Sequence, residues 1–451
     1  DLNNETEPIC LQRTSQSVSG ALAVDSHRVL LWLSDGSMEM WDHVLNKQVY
    51  RVQAHEDESF DALPLGSNVV VTWAGKKLST EVFESSINRE LIRYLTKLCV
   101  KDNHLMTSLL PKKINFESGK TTDTNVCVWD IQSGKKLQQL VGHHAFISNV
   151  AAVNQTLIAT ASKDTTMRIW DIKTGTCLKI IGSQLNSKDN SIGKLIPKTF
   201  KETIGHTGPI EGILSNRDHI VTWSRLNGDS TIRIWSKDSL ASKDDIHSPV
   251  IIHHKNRSGF QLDCKLSPNG TRLLLRERTS KYSINFSMWC VDTGKLLFDN
   301  DDTKMYRGSQ FINEHTFVTW DDDFIVHQWD ATTGDRKQIF QHGGTISSVI
   351  SKGNSTLISS CYDQTVRAWK VASPKANQSI KMLDTEWIKG SHCLPSGDLV
   401  VWSKNNLSIW DPITETFKQS WKVGDVESVL AIEDNKIVSW GKELEVRHLQ
   451  D

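Results

Sequence analysis

Residues 156–181 read TLIATASKDTTMRIWDIKTGTCLKII, and this stretch decides the fold. Its first apolar run ends in a polar KDT turn, and an alternating run follows that ends at Trp170. A second turn around Gly175 leads into a further apolar run, and residues 147–153, ISNVAAV, supply one upstream. Short apolar and β-branched runs between turn residues are typical of antiparallel strands. The pattern therefore predicts a four-stranded antiparallel unit.

Tryptophan marks the same two positions in unit after unit. The chain has 451 residues and 16 tryptophans. One set ends alternating runs, at Trp41, Trp129, Trp170, Trp235, Trp289, Trp329, Trp369 and Trp410. A second set lies in the apolar runs upstream, at Trp32, Trp73, Trp223, Trp320, Trp402 and Trp440. A recurrence of about 40 residues is typical of a propeller array.

The sequence resembles the WD40-repeat family. The closest matches are residues 126–144, VCVWDIQSGKKLQQLVGHH, and residues 156–181. Gly-His elements stand at Gly142-His143 and Gly205-His206. Trp-Asp elements stand at Trp41-Asp42, Trp129-Asp130, Trp170-Asp171, Trp329-Asp330 and Trp410-Asp411. The resemblance covers essentially residues 1–451 and implies an all-β WD40 β-propeller that serves as a protein-interaction scaffold.

The number of units depends on one long interval. Trp41 and Trp129 stand about twice as far apart as the usual repeat. Within that gap, residues 68–83 resemble the C-terminal KIVSWGKELEVRHL, so we count ten units. In the alternative, a helical insertion within 76–123 leaves nine units. Four apolar residues share one helical face in support of that alternative, at Ile87, Leu91, Leu95 and Leu98.

Closure of one ring has a candidate strand at the N-terminus. The last unit supplies three strands and then ends, while residues 8–13 resemble a fourth strand. Pairing that segment with the last unit would remove an exposed sheet edge. No Gly/Pro/Ser-rich linker divides the chain, which favours one ring over two.

Histidine, Ser/Thr, Asp and Trp recur together at fixed places. The resemblance implies that these side chains form a structural hydrogen-bond network, because buried indole and imidazole groups need partners. A set repeated in several units is also unlike a catalytic triad, which occurs once. The sets are His143, Thr160, Asp164 and Trp170; His206, Thr222, Asp229 and Trp235; and His342, Ser359, Asp363 and Trp369.

Other features argue against catalysis, cofactors, membranes and nucleic acid. No phosphate-binding, zinc-protease, serine-hydrolase or dinucleotide motif occurs. The adjacent histidine pairs, such as His143-His144, are poor metal sites because neighbours on a strand point to opposite faces. The net charge is −1 and no apolar run reaches a membrane span. We predict a non-enzymatic cytoplasmic protein without metal or cofactor, whose eight dispersed cysteines are reduced thiols.

Long connections indicate where a partner would bind. Four segments are longer than the repeat requires: 111–124, 183–204, 225–229 and 276–285. All are expected on one face of the propeller. On that face emerge the 2–3 connections, which join strands 2 and 3 of a unit, and the 4–1 connections, which join strand 4 to strand 1 of the next unit. Their charges predict a basic arc beside an acidic spot. The candidate partner-binding residues are Lys112, Lys113, Lys194, Lys198, Arg276, Arg278, Lys281, Asp321, Asp322, Asp323 and Trp387.

We therefore predict a scaffold that presents one face to a protein or peptide partner. The alternative is a ligand-sensing or regulatory portion of a larger multidomain protein, because the sequence does not begin with Met. Nucleic acid is the least favoured partner, because few aromatic residues lie among the basic ones.

Overall fold

The computed structural model describes most of the chain. The described residues are 9–10, 17–56, 60–74, 124–182, 204–225, 229–242, 247–254, 262–280, 283–300, 304–352, 356–363, 365–371, 377–381, 388–394, 396–411, 414, 416–433, 436–441 and 444–449. Within them the protein is an all-β propeller of nine four-stranded antiparallel sheets, which we number as blades 1 to 9.

Blades 1 to 3 follow a two-residue N-terminal strand, β1 (Ile9–Cys10). Blade 1 contains β2 (Val18–Ala23), β3 (Arg28–Leu33), β4 (Ser37–Asp42) and β5 (Lys47–Gln53). Blade 2 contains β6 (Phe60–Leu65), β7 (Val69–Ala74), β8 (Val126–Asp130) and β9 (Lys136–Leu140). Blade 3 contains β10 (Ile147–Ala152), β11 (Leu157–Ser162), β12 (Met167–Asp171) and β13 (Thr176–Ile181).

Blades 4 to 6 repeat the arrangement. Blade 4 contains β14 (Ile210–Ser215), β15 (His219–Ser224), β16 (Thr231–Ser236) and β17 (Val250–His253), with a short helix α1 (Lys237–Ala241) between the last two. Blade 5 contains β18 (Leu262–Leu266), β19 (Arg272–Ser280), β20 (Ser283–Cys290) and β21 (Leu296–Asn300). Blade 6 contains β22 (Tyr306–Asn313), β23 (Thr316–Asp321), β24 (Ile325–Asp330) and β25 (Arg336–Gln341).

Blades 7 to 9 complete the ring. Blade 7 contains β26 (Ile346–Lys352), β27 (Thr356–Cys361), β28 (Thr365–Lys370) and β29 (Asn377–Lys381). Blade 8 contains β30 (Gly390–Cys393), β31 (Leu399–Trp402), β32 (Asn406–Asp411) and β33 (Thr416–Lys422). Blade 9 contains β34 (Val426–Glu433), β35 (Lys436–Gly441) and β36 (Leu444–His448), and its fourth strand is β1.

The core lies between the blades. Apolar clusters of buried side chains join blade 1 to 2, 2 to 3 and so on through 8 to 9. A last cluster joins blade 9 back to blade 1 through Val438, Leu444 and Val446 against Val29 and Leu31. Each blade therefore buries its two faces only against its neighbours, and the described residues form one closed ring.

The two sets of tryptophans have different structural reasons. In several blades the fourth strand has a β-bulge beside the third-strand tryptophan, as at Leu178, the extra residue between the partners of Ile169 and Trp170. The Trp170 indole is buried in the interface between blades 2 and 3. Four of the six upstream tryptophans stand opposite a glycine of strand 1, as Trp223 does opposite Gly212. A Cβ added to Gly212 would overlap the Trp223 ring, so the glycine makes room for the indole.

The prediction of ten units is wrong, and nine is the count of blades that the structure describes. The reason lies in blade 2, where β7 pairs directly with β8 and Trp73 stands opposite Val126. Residues 68–83 therefore do not contain a second and third strand of one extra unit. Residues 75–123, where the helical insertion was predicted, lie outside the described residues; they join two paired strands of a single blade.

The N-terminal segment pairs where closure requires it. Ile9 stands opposite Val446 and Cys10 opposite Glu445, in antiparallel register. Residues 8 and 11–13 of the predicted closing strand lie outside the described part of the chain. Blade 9 is thus built from both ends of this sequence, and β1 covers the edge of β36 at Glu445 and Val446.

Candidate interaction face

The repeated polar residues form hydrogen-bond chains inside the blades. In blade 3, Trp170 Nε1 donates to Thr160 Oγ1 at 2.9 Å. His143 Nε2 lies 2.6 Å from the same hydroxyl, and His143 Nδ1 lies 2.8 Å from Asp164 Oδ2. With Nδ1–H donating to the carboxylate, Nε2 must accept the Thr160 hydroxyl proton. One neutral imidazole thus joins strands 2 and 3 to the 4–1 connection.

Blade 4 repeats this chain. His206 Nδ1 lies 3.0 Å from Asp229 Oδ2 and its Nε2 lies 2.9 Å from Thr222 Oγ1, to which Trp235 Nε1 donates. Burial lowers the pKa of both His143 and His206, which keeps them neutral. Burial raises the pKa of Asp164, but hydrogen bonds from His143 and Thr166 outweigh it and leave the pKa below its usual value.

Blade 7 has the same residues with a different geometry. His342 Nε2 lies 2.6 Å from Ser359 Oγ, and Trp369 Nε1 donates to that oxygen at 2.7 Å. His342 Nδ1, however, is 3.8 Å from Asp363 Oδ2, beyond hydrogen-bond distance. This buried nitrogen has no hydrogen-bond partner.

The sequence reasoning missed a further network in blade 2. His55 Nε2 lies 2.9 Å from Thr72 Oγ1, and Trp129 Nε1 donates to the same hydroxyl at 2.9 Å. The Gly-His signal was absent because Ala54 precedes His55, and residues 75–123 separate the hydroxyl from its tryptophan. Only the pairing of β7 with β8 brings them together.

Two long segments leave the ring on one face. Because neighbouring strands are antiparallel, the 2–3 and 4–1 connections of every blade emerge at the same end. Residues 75–125 form the 2–3 connection of blade 2, and residues 182–209 form the 4–1 connection between blades 3 and 4. We call this end the insertion face. The residues that join β15 to β16, including 225–229, also lie there.

The predicted loop at 276–285 is wrong. Strands β19 and β20 extend through it as a hairpin, with Arg276 opposite Phe286 and Arg278 opposite Ile284. Arg276 is buried; its guanidinium donates to the Tyr306 carbonyl at 3.1 Å and to Asp263 Oδ2 at 3.0 Å. It joins blade 5 to blade 6 and is not available at the surface, whereas Arg278 is half-buried at the hairpin end.

The predicted acidic spot is only partly a surface feature. Asp321 is buried, and it accepts hydrogen bonds from His327 Nε2 at 2.7 Å and Lys304 Nζ at 3.2 Å. Asp322 pairs with Arg307, and Asp323, with 68% of its side chain exposed, pairs with Lys304 at 3.1 Å. Two cations of blade 6 therefore offset most of the negative charge, and Asp322 and Asp323 remain accessible.

Lys112, Lys113, Lys194, Lys198, Lys281 and Trp387 lie outside the described residues. The arrangement of the basic arc therefore stays a prediction, although the described strands fix the face on which the segments carrying Lys112, Lys113, Lys194 and Lys198 begin and end.

Comparison with known proteins agrees with the fold. The family described as "WD domain, G-beta repeat" matches residues 134–171 and 334–370. Each match begins just before the outer strand of one blade and ends in the third strand of the next, so the sequence repeat interlocks two blades. This chain is a WD40-repeat β-propeller.

Two relatives have names that refer to ribosome biogenesis and to translation initiation. The ribosome biogenesis protein WDR12 homolog of Trichoplax adhaerens is 21% identical over 61% of this chain and 66% of its own length. Eukaryotic translation initiation factor 3 subunit I of Pyricularia oryzae is 42% identical over 34% of this chain and 45% of its own length. The propeller thus spans less than two thirds of either relative.

Among solved structures, the computationally designed Ika8 protein matches over 98% of each chain, with a TM-score of 0.52 and 15% identity. At that identity the likeness concerns the fold alone. WD40 propellers generally serve as non-catalytic scaffolds that bind proteins. In the part of the chain that the structure describes, no helix combines the length and apolar character that crossing a membrane requires.

Proposed function

We propose that this propeller is a non-catalytic scaffold that captures a protein or peptide partner on its insertion face. One observation carries the proposal: the two longest connections of the chain, 75–125 and 182–209, both emerge on that face. Long connections on a rigid frame commonly carry binding function. The opposite face carries short turns, apart from the connection that contains α1.

The rigid frame supports the same proposal. Hydrogen-bond chains in blades 2, 3, 4 and 7 fasten the strand ends beneath the insertion face. Connections anchored in this way hold a binding surface in place and reduce the entropy lost on association. The relative named as a subunit of an initiation factor is, by that name, part of a complex.

We place the site of action in the cytoplasm. Cys177, Cys264, Cys290 and Cys361 are free thiols. Burial raises the pKa of Cys177 to about 11 and that of Cys264 well above its usual value, which makes these thiols unreactive. Unpaired structural cysteines fit a reducing compartment.

Charge reversal tests which face binds. The variant K112E/K113E/K194E/K198E reverses four basic residues carried by the two long connections. Purified wild-type and variant chains would be used to capture proteins from native lysate, with quantitative mass spectrometry of what each retains. We expect proteins that bind the wild type to be lost from the variant, because complementary charge steers association.

The opposite face provides a matched control. Lys135, Lys173, Arg217 and Lys295 are exposed in its turns, and K135E/K173E/R217E/K295E changes the net charge equally. The control should retain the wild-type partners. Equal losses in both variants, or none in the first, would contradict the assignment of the insertion face.

A further inference from the structure

Blade 7 differs from blades 3 and 4 at the position two residues after the hydroxyl residue of the network, which is Thr160, Thr222 or Ser359. Blade 3 has Ser162 there, whose hydroxyl donates to the Ala145 carbonyl at 3.0 Å, and blade 4 has Ser224. Blade 7 has Cys361, whose sulfur accepts from the Asp363 backbone N–H at 3.3 Å. A thiolate-forming group thus stands beside an imidazole and a carboxylate.

The three side chains converge. One donor atom each from His342, Cys361 and Asp363 lies within 4.8 Å of the other two. Zinc bound at about 2.0–2.3 Å by N, O and S ligands holds those atoms about 3.4–3.6 Å apart. The 3.8 Å between His342 Nδ1 and Asp363 Oδ2 is close to that spacing, and small rotations of the side chains would complete it.

The His342 imidazole has a nitrogen lone pair available for a metal ion. An Nδ1–H without an acceptor in a buried position would be costly, so Nε2 carries the proton and donates to Ser359 Oγ. A metal-bound histidine characteristically has its other nitrogen held in this way. The Nδ1 lone pair of His342, whose side chain has no exposed surface, is then directed at the cluster.

Two glycines leave space around the donor atoms. Gly343 and Gly344 stand where blade 3 has His144 and Ala145. A Cβ at Gly343 would lie 3.2 Å from Asp363 Oδ2, and one at Gly344 would lie 3.6 Å from Cys361 Sγ. Gly343 is exposed and 16% of the Asp363 side chain is accessible, so an ion can enter from the insertion face.

We propose that His342 Nδ1, Cys361 Sγ and Asp363 Oδ2 bind one Zn²⁺ ion, with a water molecule as fourth ligand. Neutral imidazole, thiolate and carboxylate are the donors zinc prefers. The ion would hold the 4–1 connection of blade 7 to its 2–3 turn, replacing the hydrogen bond that joins the same elements in blade 3.

Zinc binds the thiolate form of cysteine, so the thiol of Cys361 gives up one proton when it becomes a ligand. The Nδ1 atom of the neutral His342 imidazole binds through its lone pair and releases no proton.

Cys361→Ser is the decisive variant because blade 3 already contains that serine arrangement, so the fold accommodates it. The full chain would be stripped with chelator and titrated with ZnCl₂ by calorimetry, and with Co²⁺ by absorbance. The wild type is expected to bind one equivalent and to show a thiolate–cobalt charge-transfer band. C361S should lose the band and bind Zn²⁺ roughly tenfold or more weakly, since even changes outside the ligand set cost about that much.

Cys290→Ser is the control, since Cys290 is a free thiol of blade 5 that lies outside the cluster. C290S should bind both ions as the wild type does. The proposal is overturned if the wild type binds no stoichiometric Zn²⁺, if C361S binds as tightly as the wild type, or if C290S loses the cobalt band.

Discussion

Replacing Thr160 with valine removes one hydroxyl and leaves two buried polar groups without a partner. Thr160 has no exposed surface, and its Oγ1 lies 2.9 Å from Trp170 Nε1 and 2.6 Å from His143 Nε2. Leaving a buried donor or acceptor unsatisfied costs about 1–3 kcal/mol. Since valine has nearly the same shape as threonine, packing changes little, and we expect T160V to destabilise the fold by roughly 2–5 kcal/mol.

Calorimetry would measure the effect. An unfolding entropy of about 2.1 cal/mol/K per residue makes 1 kcal/mol worth about 1 °C in a 451-residue chain. T160V should therefore melt roughly 2–5 °C lower than the wild type. Thr160→Ser keeps the oxygen, as Ser359 does in blade 7, and should cost only about 1 kcal/mol for the lost methyl group. If T160V melts no lower than T160S, the Thr160 hydroxyl does not join the Trp170 indole to the His143 imidazole, and the predicted network is refuted.

Two further predictions concern the ring itself. Gly212→Ala adds a methyl group that would overlap the Trp223 ring, so it should lower the melting temperature. The control is Gly66→Ala, whose methyl group meets no atom and which should incur only the smaller cost of a φ of +66°. Equal melting temperatures for G212A and the wild type would show that Trp223 is free to move. Deleting residues 1–14 removes β1 and exposes the edge of β36, so thermal stability should fall and aggregation should rise. Deleting only residues 450–451, beyond β36, is the control, and closure by β1 is disproved if both truncations melt like the intact chain.

Much of the propeller was predictable because its signals are local. Alternating runs that end in tryptophan, with turns between them, indicate strands regardless of what surrounds them. The recurrence of His143, Thr160, Asp164 and Trp170 in other units marked the residues that the structure joins in hydrogen bonds. The WD40 fold and the pairing of Ile9–Cys10 with the last blade followed from these patterns.

Other features depended on pairings between distant residues. The strand that contains Trp73 pairs with the strand of Val126, and the periodicity of the sequence does not specify which of two apolar runs becomes its partner. Arg276 was predicted to lie in a loop because the segment 276–285 is longer than the repeat requires. Its burial follows from carbonyl groups that blade 6 supplies, which no local pattern around Arg276 specifies.

By itself the sequence determined the strand pattern, the repeating blade and the polar residues that hold each blade together, because these follow from backbone periodicity and from the needs of buried polar groups. Only the tertiary structure decided the number of blades, the network of His55, Thr72 and Trp129, and the position of Cys361 beside the predicted pair of His342 and Asp363. The physical reason is that these features depend on which strands pair and on where side chains lie in the folded blade, and sequence periodicity specifies neither.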